Sequence, residues 1–229
     1  MQPQFPNYSI PISLTKRPQD IIVIGLAKHE TIMEVSDWPN KGGQTNVDIH
    51  KINHTAGGSG MNVATSASRI GAKSTLIASI GSGKYGDTVY NELIASQVDT
   101  KYITRVKDSD GSLLVILTRS DGDWAVMQSN DANIYLTTTN LPTSSSMSNY
   151  KILHVDAYSY IDKKQRDVIE ECITRARDAS CVISIDTSVP ATALDPQYVL
   201  DIFSKCDIIF LNQTEAMNLS KSQNLDETI

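Results

Sequence analysis

Residues 56–80 read AGGSGMNVATSASRIGAKSTLIASI. Gly57, Gly58 and Gly60 open the stretch, and glycine permits positive φ and close approach of backbone to backbone or to a ligand. Met61, Ala64, Ala67, Ser68 and Ile70 then recur at helical spacing, which predicts a helix over 60–70. A continuous apolar run of strand length follows at Thr75–Ile80. A glycine turn, a helix and a strand apolar throughout are what a parallel sheet covered on both faces requires.

Outward from this stretch the same alternation continues. Further apolar runs lie at Ile21–Ile24, Leu113–Thr118, Lys151–Val155, Cys181–Ile185 and Asp207–Leu211. Helical spacing recurs over Tyr85–Ser96 (Val89, Leu93, Ile94) and over Asp162–Asp178 (Val168, Ile169, Cys172, Ile173, Ala176), with Asp162 as an N-cap. Strand–helix–strand alternation of this kind implies an α/β fold with a mainly parallel sheet. Two regions break the rhythm. Residues 31–55 hold turn signals at Trp38-Pro39-Asn40 and Gly42-Gly43 and an alternating piece from Val47 to Ile52. Residues 113–128 read as a hairpin, LLVILTR and WAVMQ, around Ser120-Asp121-Gly122-Asp123. Together they predict a small antiparallel sheet beside the main one, a common way to cover a ligand. The serine- and threonine-rich patch 137–146 reads as a loop or a short capped helix.

The chain has 229 residues, 40% hydrophobic and 20% charged, with a net charge of −6. A chain of this size buries roughly 70–75% of its unfolded surface and needs no disulfide or metal staple. The acidic balance argues against a nucleic-acid partner, and no apolar window is long enough to span a membrane. Residues 1–20, with Pro3, Pro6, Pro11 and Pro18 and no apolar core, read as a loose tail rather than a signal peptide. Cys172, Cys181 and Cys206 form no metal or redox motif, so buried thiols in a reducing cytoplasm are expected.

Ligands of open α/β sheets bind beyond the carboxyl ends of the strands. Here three successive runs end on a polar residue: KILHV on Asp156, CVISI on Asp186 and DIIFL on Asn212. Each alone is as well read as a cap or turn residue; together they suggest a polar cleft. Asn212 and Glu215 share a helical face, where a carboxylate could hold a hydrated Mg²⁺ and the free N–H groups a phosphate, or the two could form a plain capping box. Asn62, in the first turn after the glycines, offers both a donor and an acceptor, as sugar hydroxyls require.

Two lookalikes compete. GSGKYG at 81–86 matches the dinucleotide fingerprint literally, but does not follow the first strand, and QVDTKYITRV after it carries no strand ending in an acid. The stretch 78–85 approaches a P-loop, but Ala78 and Tyr85 replace its first glycine and its hydroxyl ligand. His154, inside an apolar run, reads as a core histidine, and His29, His50 and His54 show no metal spacing.

The ordered pieces IIVIG, AGGSGMNVATSASRIGA, LIASIG…YGD, the hairpin, IDTS and IIFLNQTEA resemble the ribokinase-like, PfkB-type carbohydrate and nucleoside kinases over nearly all of 21–229. The resemblance implies a doubly wound sheet with a β lid formed by 31–56 and 112–129, and transfer of the γ-phosphoryl of ATP, with Mg²⁺, to a hydroxymethyl group of a sugar or nucleoside. It implies that Glu30, Gly57, Gly58, Asn62 and Asp156 serve the acceptor, that Asp186, Asn212 and Glu215 serve the nucleotide and phosphate, that Glu215 meets Mg²⁺ indirectly, and that the lid can pair two copies. VMQSNDANIYL at 126–136 leans toward the pseudouridine-kinase branch. Lys28 and Ser59 stand where ribokinases tend to have Asn and Lys, and Ser82-Gly83 where the family has an acidic pair, which points away from ribose itself.

The family's D-[ST]-x-GAGD segment, with its anion hole and catalytic aspartate, has no match in this sequence. The expectation is an incomplete kinase domain lacking its base and weak or inactive as written. A non-catalytic binding or dimerising remnant is the alternative, and a dinucleotide-dependent oxidoreductase using GSGKYG a third.

Overall fold

The computed structural model describes residues 12–39 and 46–221. In chain order the elements are α1 (Ile12–Thr15), β1 (Gln19–Ile24), β2 (Lys28–Val35), β3 (Ile49–Gly57), α2 (Ser59–Arg69), β4 (Ser74–Gly81), α3 (Lys84–Ala95), β5 (Asp99–Val106), β6 (Leu113–Thr118) and β7 (Trp124–Gln128). They continue with α4 (Ser144–Met147), β8 (Tyr150–Val155), α5 (Lys163–Asp178), β9 (Val182–Asp186), α6 (Val189–Leu194), α7 (Pro196–Phe203), β10 (Ile208–Phe210) and α8 (Gln213–Ser220).

The main sheet has the order β10-β9-β8-β1-β4-β5, and every neighbouring pair is parallel. From β1 the chain winds outward through β4 to β5, then returns to the other side of β1 through β8, β9 and β10. Its strands are apolar on both faces because helices cover both. Val23, Leu76, Ala78 and Ile80 pack with Met61 and Ala64 of α2 and with Val89 and Leu93 of α3. Ile22, Ile24, Leu153, Val155, Ile183 and Ile185 pack with Val168, Ile169, Cys172, Ile173 and Ala176 of α5. Successive residues of β1 thus serve opposite cores, as the two-residue strand period demands. Asp162 caps α5 by accepting from the Lys164 N–H at 2.9 Å. Ile70 and Ile94, expected on apolar helix faces, are exposed at the helix ends.

Four expectations change. The second sheet, β3-β2-β6-β7, is mixed rather than antiparallel: β2–β3 and β6–β7 are antiparallel, but the central β2–β6 pair is parallel and joins segments far apart in sequence. Strand β5 falls in a stretch not read as a strand; it is an edge strand, only half-buried, with Lys101 and Arg105 interrupting its apolar residues. Strand β10, expected to be buried on both faces, has β9 as its only neighbour among the described residues and exposes Ile209 and Phe210. Residues 12–20 of the expected tail are built into the fold: Leu14 is buried, Arg17 donates to the Tyr150 and Ala179 carbonyls, and β1 begins at Gln19. The expected turn at Gly42-Gly43 and residues 1–11 lie outside the described residues.

The patch at 137–146 forms a short 3-10 turn and α4, capped by Thr143. No described helix is long and apolar enough to cross a membrane.

Helix α2 meets β1 backbone to backbone. A Cβ on Gly60 would lie 2.6 Å from the Gly25 Cα, and both partners are main chain with no room to yield. Gly60→Ala is therefore expected to destabilise the protein by about 1–3 kcal/mol, the usual cost of overpacking, read as a lower urea midpoint with an unchanged slope.

Candidate functional site

Strand β1 is the point from which the sheet winds both ways, and the crevice beyond its carboxyl end is where such sheets bind ligands. Asp156, one residue past β8, is wholly buried beneath that crevice. Its Oδ2 accepts the Leu26 N–H at 2.8 Å and its Oδ1 the Tyr158 N–H at 3.2 Å. Burial pushes its carboxyl above the usual range, against the opposing pull of its bonds from Ser59, Leu26 and Tyr158 and of the Lys28 charge. Asp156 thus holds the backbone of Leu26 and Tyr158, which line the cavity, and does not itself line it.

The glycine turn supplies the opposite wall. Gly58 sits at φ +93°, a conformation that L side chains rarely adopt. Its N–H donates to Glu30 Oε1 at 2.9 Å. Gly57 leaves room for that carboxylate, since a Cβ there would fall 2.2 Å from Glu30 Oε1. Glu30, Gly58 and Asn62 line one cavity of about 420 Å³, with Leu26, Trp124 and Tyr158 among its apolar walls. Asn62 is exposed on the first turn of α2.

Lys28, which sequence reasoning noted only as a departure, also lines this cavity and is 3% exposed. Its Nζ donates to Gln128 Oε1 at 2.8 Å and to Asn130 Oδ1 at 2.6 Å. Burial lowers its pKa to about 8, with the Asp156 and Glu30 carboxylates opposing the shift. The signal in the sequence was a lysine placed directly after the buried run IIVIGLA, two residues before Glu30 on the same strand face.

Asp186, Asn212 and Glu215 do not line this cavity. They occupy the neighbouring strand ends. Asn212 and Glu215 form a reciprocal capping box on α8: the Glu215 N–H donates to Asn212 Oδ1 at 3.0 Å and the Asn212 N–H to Glu215 Oε2 at 2.8 Å. Glu215 is buried. The Asp186 carboxylate accepts the Ala157 N–H at 2.5 Å. Burial, the negative charge of Asp156 and that of Glu215 push its pKa up to about 7.

Among the described residues no three His, Cys, Asp or Glu side chains cluster as a metal cage. Glu215 Oε2 is taken by the Asn212 N–H, so a hydrated divalent cation could meet this carboxylate only through its other oxygen.

The competing motifs have other duties. In GSGKYG the Gly83 and Gly86 N–H groups donate to the Ser109 and Asp110 carbonyls, at 3.0 and 2.9 Å, so they are not available to a pyrophosphate. His29 Nε2 lies 3.3 Å from His54 Nδ1, and His29 stacks on Tyr85. His154 is buried on Ser184 Oγ at 3.0 Å.

The raised Asp186 carboxyl has a pH signature. Between the unfolded value of 3.8 and the folded value of about 7 the native state keeps a proton that the unfolded state has released. Its contribution to stability is therefore present at low pH and is lost as pH rises toward 7. Asp186→Asn retains the oxygen that accepts Ala157 N–H. It is expected to be more stable than the parent at pH 8 by about 4 kcal/mol, with the advantage vanishing near pH 4, as read by urea titration across pH.

The family described as pfkB family carbohydrate kinase matches residues 18–229. Mouse (Mus musculus) ribokinase is 24% identical over 214 residues, covering 91% of this chain and 61% of that protein. The structure of adenosine kinase from Sinorhizobium meliloti superposes with a TM-score of 0.79 at 16% identity, over 92% of this chain and 70% of that one. Arabidopsis thaliana ribokinase, solved with ribose and ATP, gives 0.68 at 16% identity, over 92% and 66%. The chain spans about half the length of the curated relatives it matches. With a family match over nearly all of its residues and a doubly wound sheet shared with these kinases, the chain belongs to the pfkB family of carbohydrate kinases.

Proposed function

We propose that this chain carries the acceptor-binding part of a kinase that transfers the γ-phosphoryl of ATP to a hydroxymethyl group of a sugar or nucleoside. The observation that carries the reading is the convergence of Glu30, the Gly58 turn, Asn62 and Lys28 on one cavity at the winding centre of the sheet. Glu30 accepts hydrogen bonds, Lys28 donates them and Asn62 does both, which is the set a polyol needs. Leu26, Trp124 and Tyr158 supply apolar walls for the faces of a ring. The small sheet, through Trp124, Val126 and Gln128 of β7, forms one side of the cavity and acts as its lid.

ATP is the proposed donor, in keeping with the ATP held by the Arabidopsis ribokinase. Asp186, Asn212 and Glu215, on the adjoining strand ends, lie on the proposed phosphate side. Carboxylates there can approach a polyphosphate only across a cation, and Glu215 is the residue proposed to hold hydrated Mg²⁺. That cation would screen charge between donor and acceptor.

Among the described residues Glu30 is the carboxylate that lines the cavity, and it is tied to the Gly58 N–H, while Asp156 beneath the cavity is buried and bonded to two backbone N–H groups. This favours a second reading for the chain taken alone, in which it binds the acceptor but does not phosphorylate it. Among the described residues the Asn62 side chain makes no hydrogen bond, and it is exposed. Asn62→Ala is expected to weaken acceptor binding about tenfold, the cost of one lost hydrogen bond that leaves its partner unpaired, at unchanged melting temperature. Calorimetric titration with ribose, fructose, adenosine and uridine checks this; equal affinities in parent and variant would remove the assigned role. ATP consumption with the same acceptors separates the two readings: turnover supports the complete kinase, and binding without turnover the non-catalytic binder.

Dimerisation through the lid remains part of the proposal. Strands β3 and β7, at its two edges, expose Ile49 and Ile52, and Trp124, Val126 and Met127. Sedimentation velocity is expected to show a dimer that Ile52→Glu dissociates.

A further inference from the structure

Lys28 does more than fill the cavity floor. An ammonium group only donates hydrogen bonds. Gln128 and Asn130 must therefore turn their oxygens toward Nζ, at 2.8 and 2.6 Å, and their N–H₂ groups away from it. Both side chains are exposed, and neither N–H₂ group has a protein partner among the described residues, so each is open to water or to a ligand. Gln128 lines both the 420 Å³ cavity and a second one of about 210 Å³, and Asn130 lines the second. The two cavities share Leu26, Gln128 and Tyr158, so they form adjoining compartments.

We infer that Lys28 is a specificity-determining residue that holds Gln128 and Asn130 as a wall of hydrogen-bond donors, selecting an acceptor that carries carbonyl oxygens beside its hydroxyls. This inference rests on the acceptor-site reading and narrows its substrate class to a nucleoside with a carbonyl-bearing planar base, in preference to a bare sugar. A carbonyl accepts without donating, so it satisfies two facing N–H₂ groups completely. A sugar hydroxyl placed there brings its own hydrogen, for which this wall offers no oxygen. Trp124 and Tyr158, on the walls of the larger cavity, supply surfaces on which a planar ring can lie.

The charge on Lys28 is what enforces the orientation. The charged groups around it are Glu30 on its own strand and Asp156 from the main sheet, while Gln128 and Asn130 are neutral. With a pKa of about 8, the amine is neutral at pH 9.5; its lone pair can then accept an amide N–H, and the enforced orientation is lost.

The test is calorimetric titration of the full chain with cytidine, whose carbonyl-bearing base does not titrate in this range, and with ribose at pH 7 and pH 9.5. Cytidine is expected to bind more tightly at pH 7, with the cytidine-to-ribose preference smaller at pH 9.5. Gln128→Glu keeps an oxygen on Lys28 but removes the donor, and the preference is expected to fall about tenfold, as for a lost hydrogen bond. Lys28→Met is expected to do the same. Should that variant fail to fold, Gln128→Glu, at an exposed position, decides the question. Equal affinity for the two ligands, or a preference untouched by Gln128→Glu, overturns the inference while leaving the acceptor site standing. Binding of neither removes the acceptor site itself, and the donor wall with it.

Discussion

The main chain of α2 lies against the main chain of β1 where Gly60 meets Gly25, and Asp156 closes the third side of that contact, its Cβ within 2.5 Å of where a Gly25 side chain would begin. No side chain separates these three segments. Helix α2 is therefore drawn to the carboxyl end of β1, its Met61 N–H donating to the Leu26 carbonyl at 3.0 Å, while Asp156 takes the Leu26 N–H from below. The peptide groups of Leu26 are thus held from both sides. That places Gly58 opposite Glu30 and turns the chain out of the main sheet into β2, so the cavity and the small sheet both follow from this approach.

The carboxyl edge of the sheet concentrates groups that cost free energy to bury. Asp156 and Lys28 are almost completely inaccessible, and Asp186 feels both Asp156 and Glu215. Such groups are tolerated only when bonded or paired. Asp156 has its backbone donors, Lys28 its two amide oxygens and Glu215 its cap. Asp186 has the Ala157 N–H, which only partly offsets burial and its acidic neighbours, and its pKa lies near neutrality. A strip of perturbed charges at a sheet crevice is what marks a candidate ligand site.

Legibility followed the physics of each segment. Strands β4, β8 and β9 were readable because both their faces are covered, which leaves an uninterrupted apolar run. Strand β5 was not, because an edge strand may carry Lys101 and Arg105 where a central one could not. The hairpin β6–β7 was readable from local turn chemistry, with the Gly122 N–H donating to the Arg119 carbonyl. The parallel pairing of β2 with β6 was not, because nothing local records which distant strand lies alongside. At the site, Glu30, Gly57, Gly58 and Asn62 were named through the family motif, and three of them line the cavity. Asp156, named with them, lies beneath it. Lys28 was noted only as a departure, because its place after an apolar run and two residues before Glu30 is a weak signal that a solvated strand end also gives.

The sequence by itself determined the layered α/β class, the glycine turn opening α2, the Asp162 cap and the family, since periodicity, caps and motifs are written in neighbouring residues. Only the tertiary structure decided that Asp156 is sealed, that Lys28 faces Gln128 and Asn130 a hundred residues on, and that the GSGKYG amides are already bonded to the chain. Burial and partnership between distant residues set the ionisation of a carboxyl and the direction of an amide, and neither exists until the strands are packed side by side.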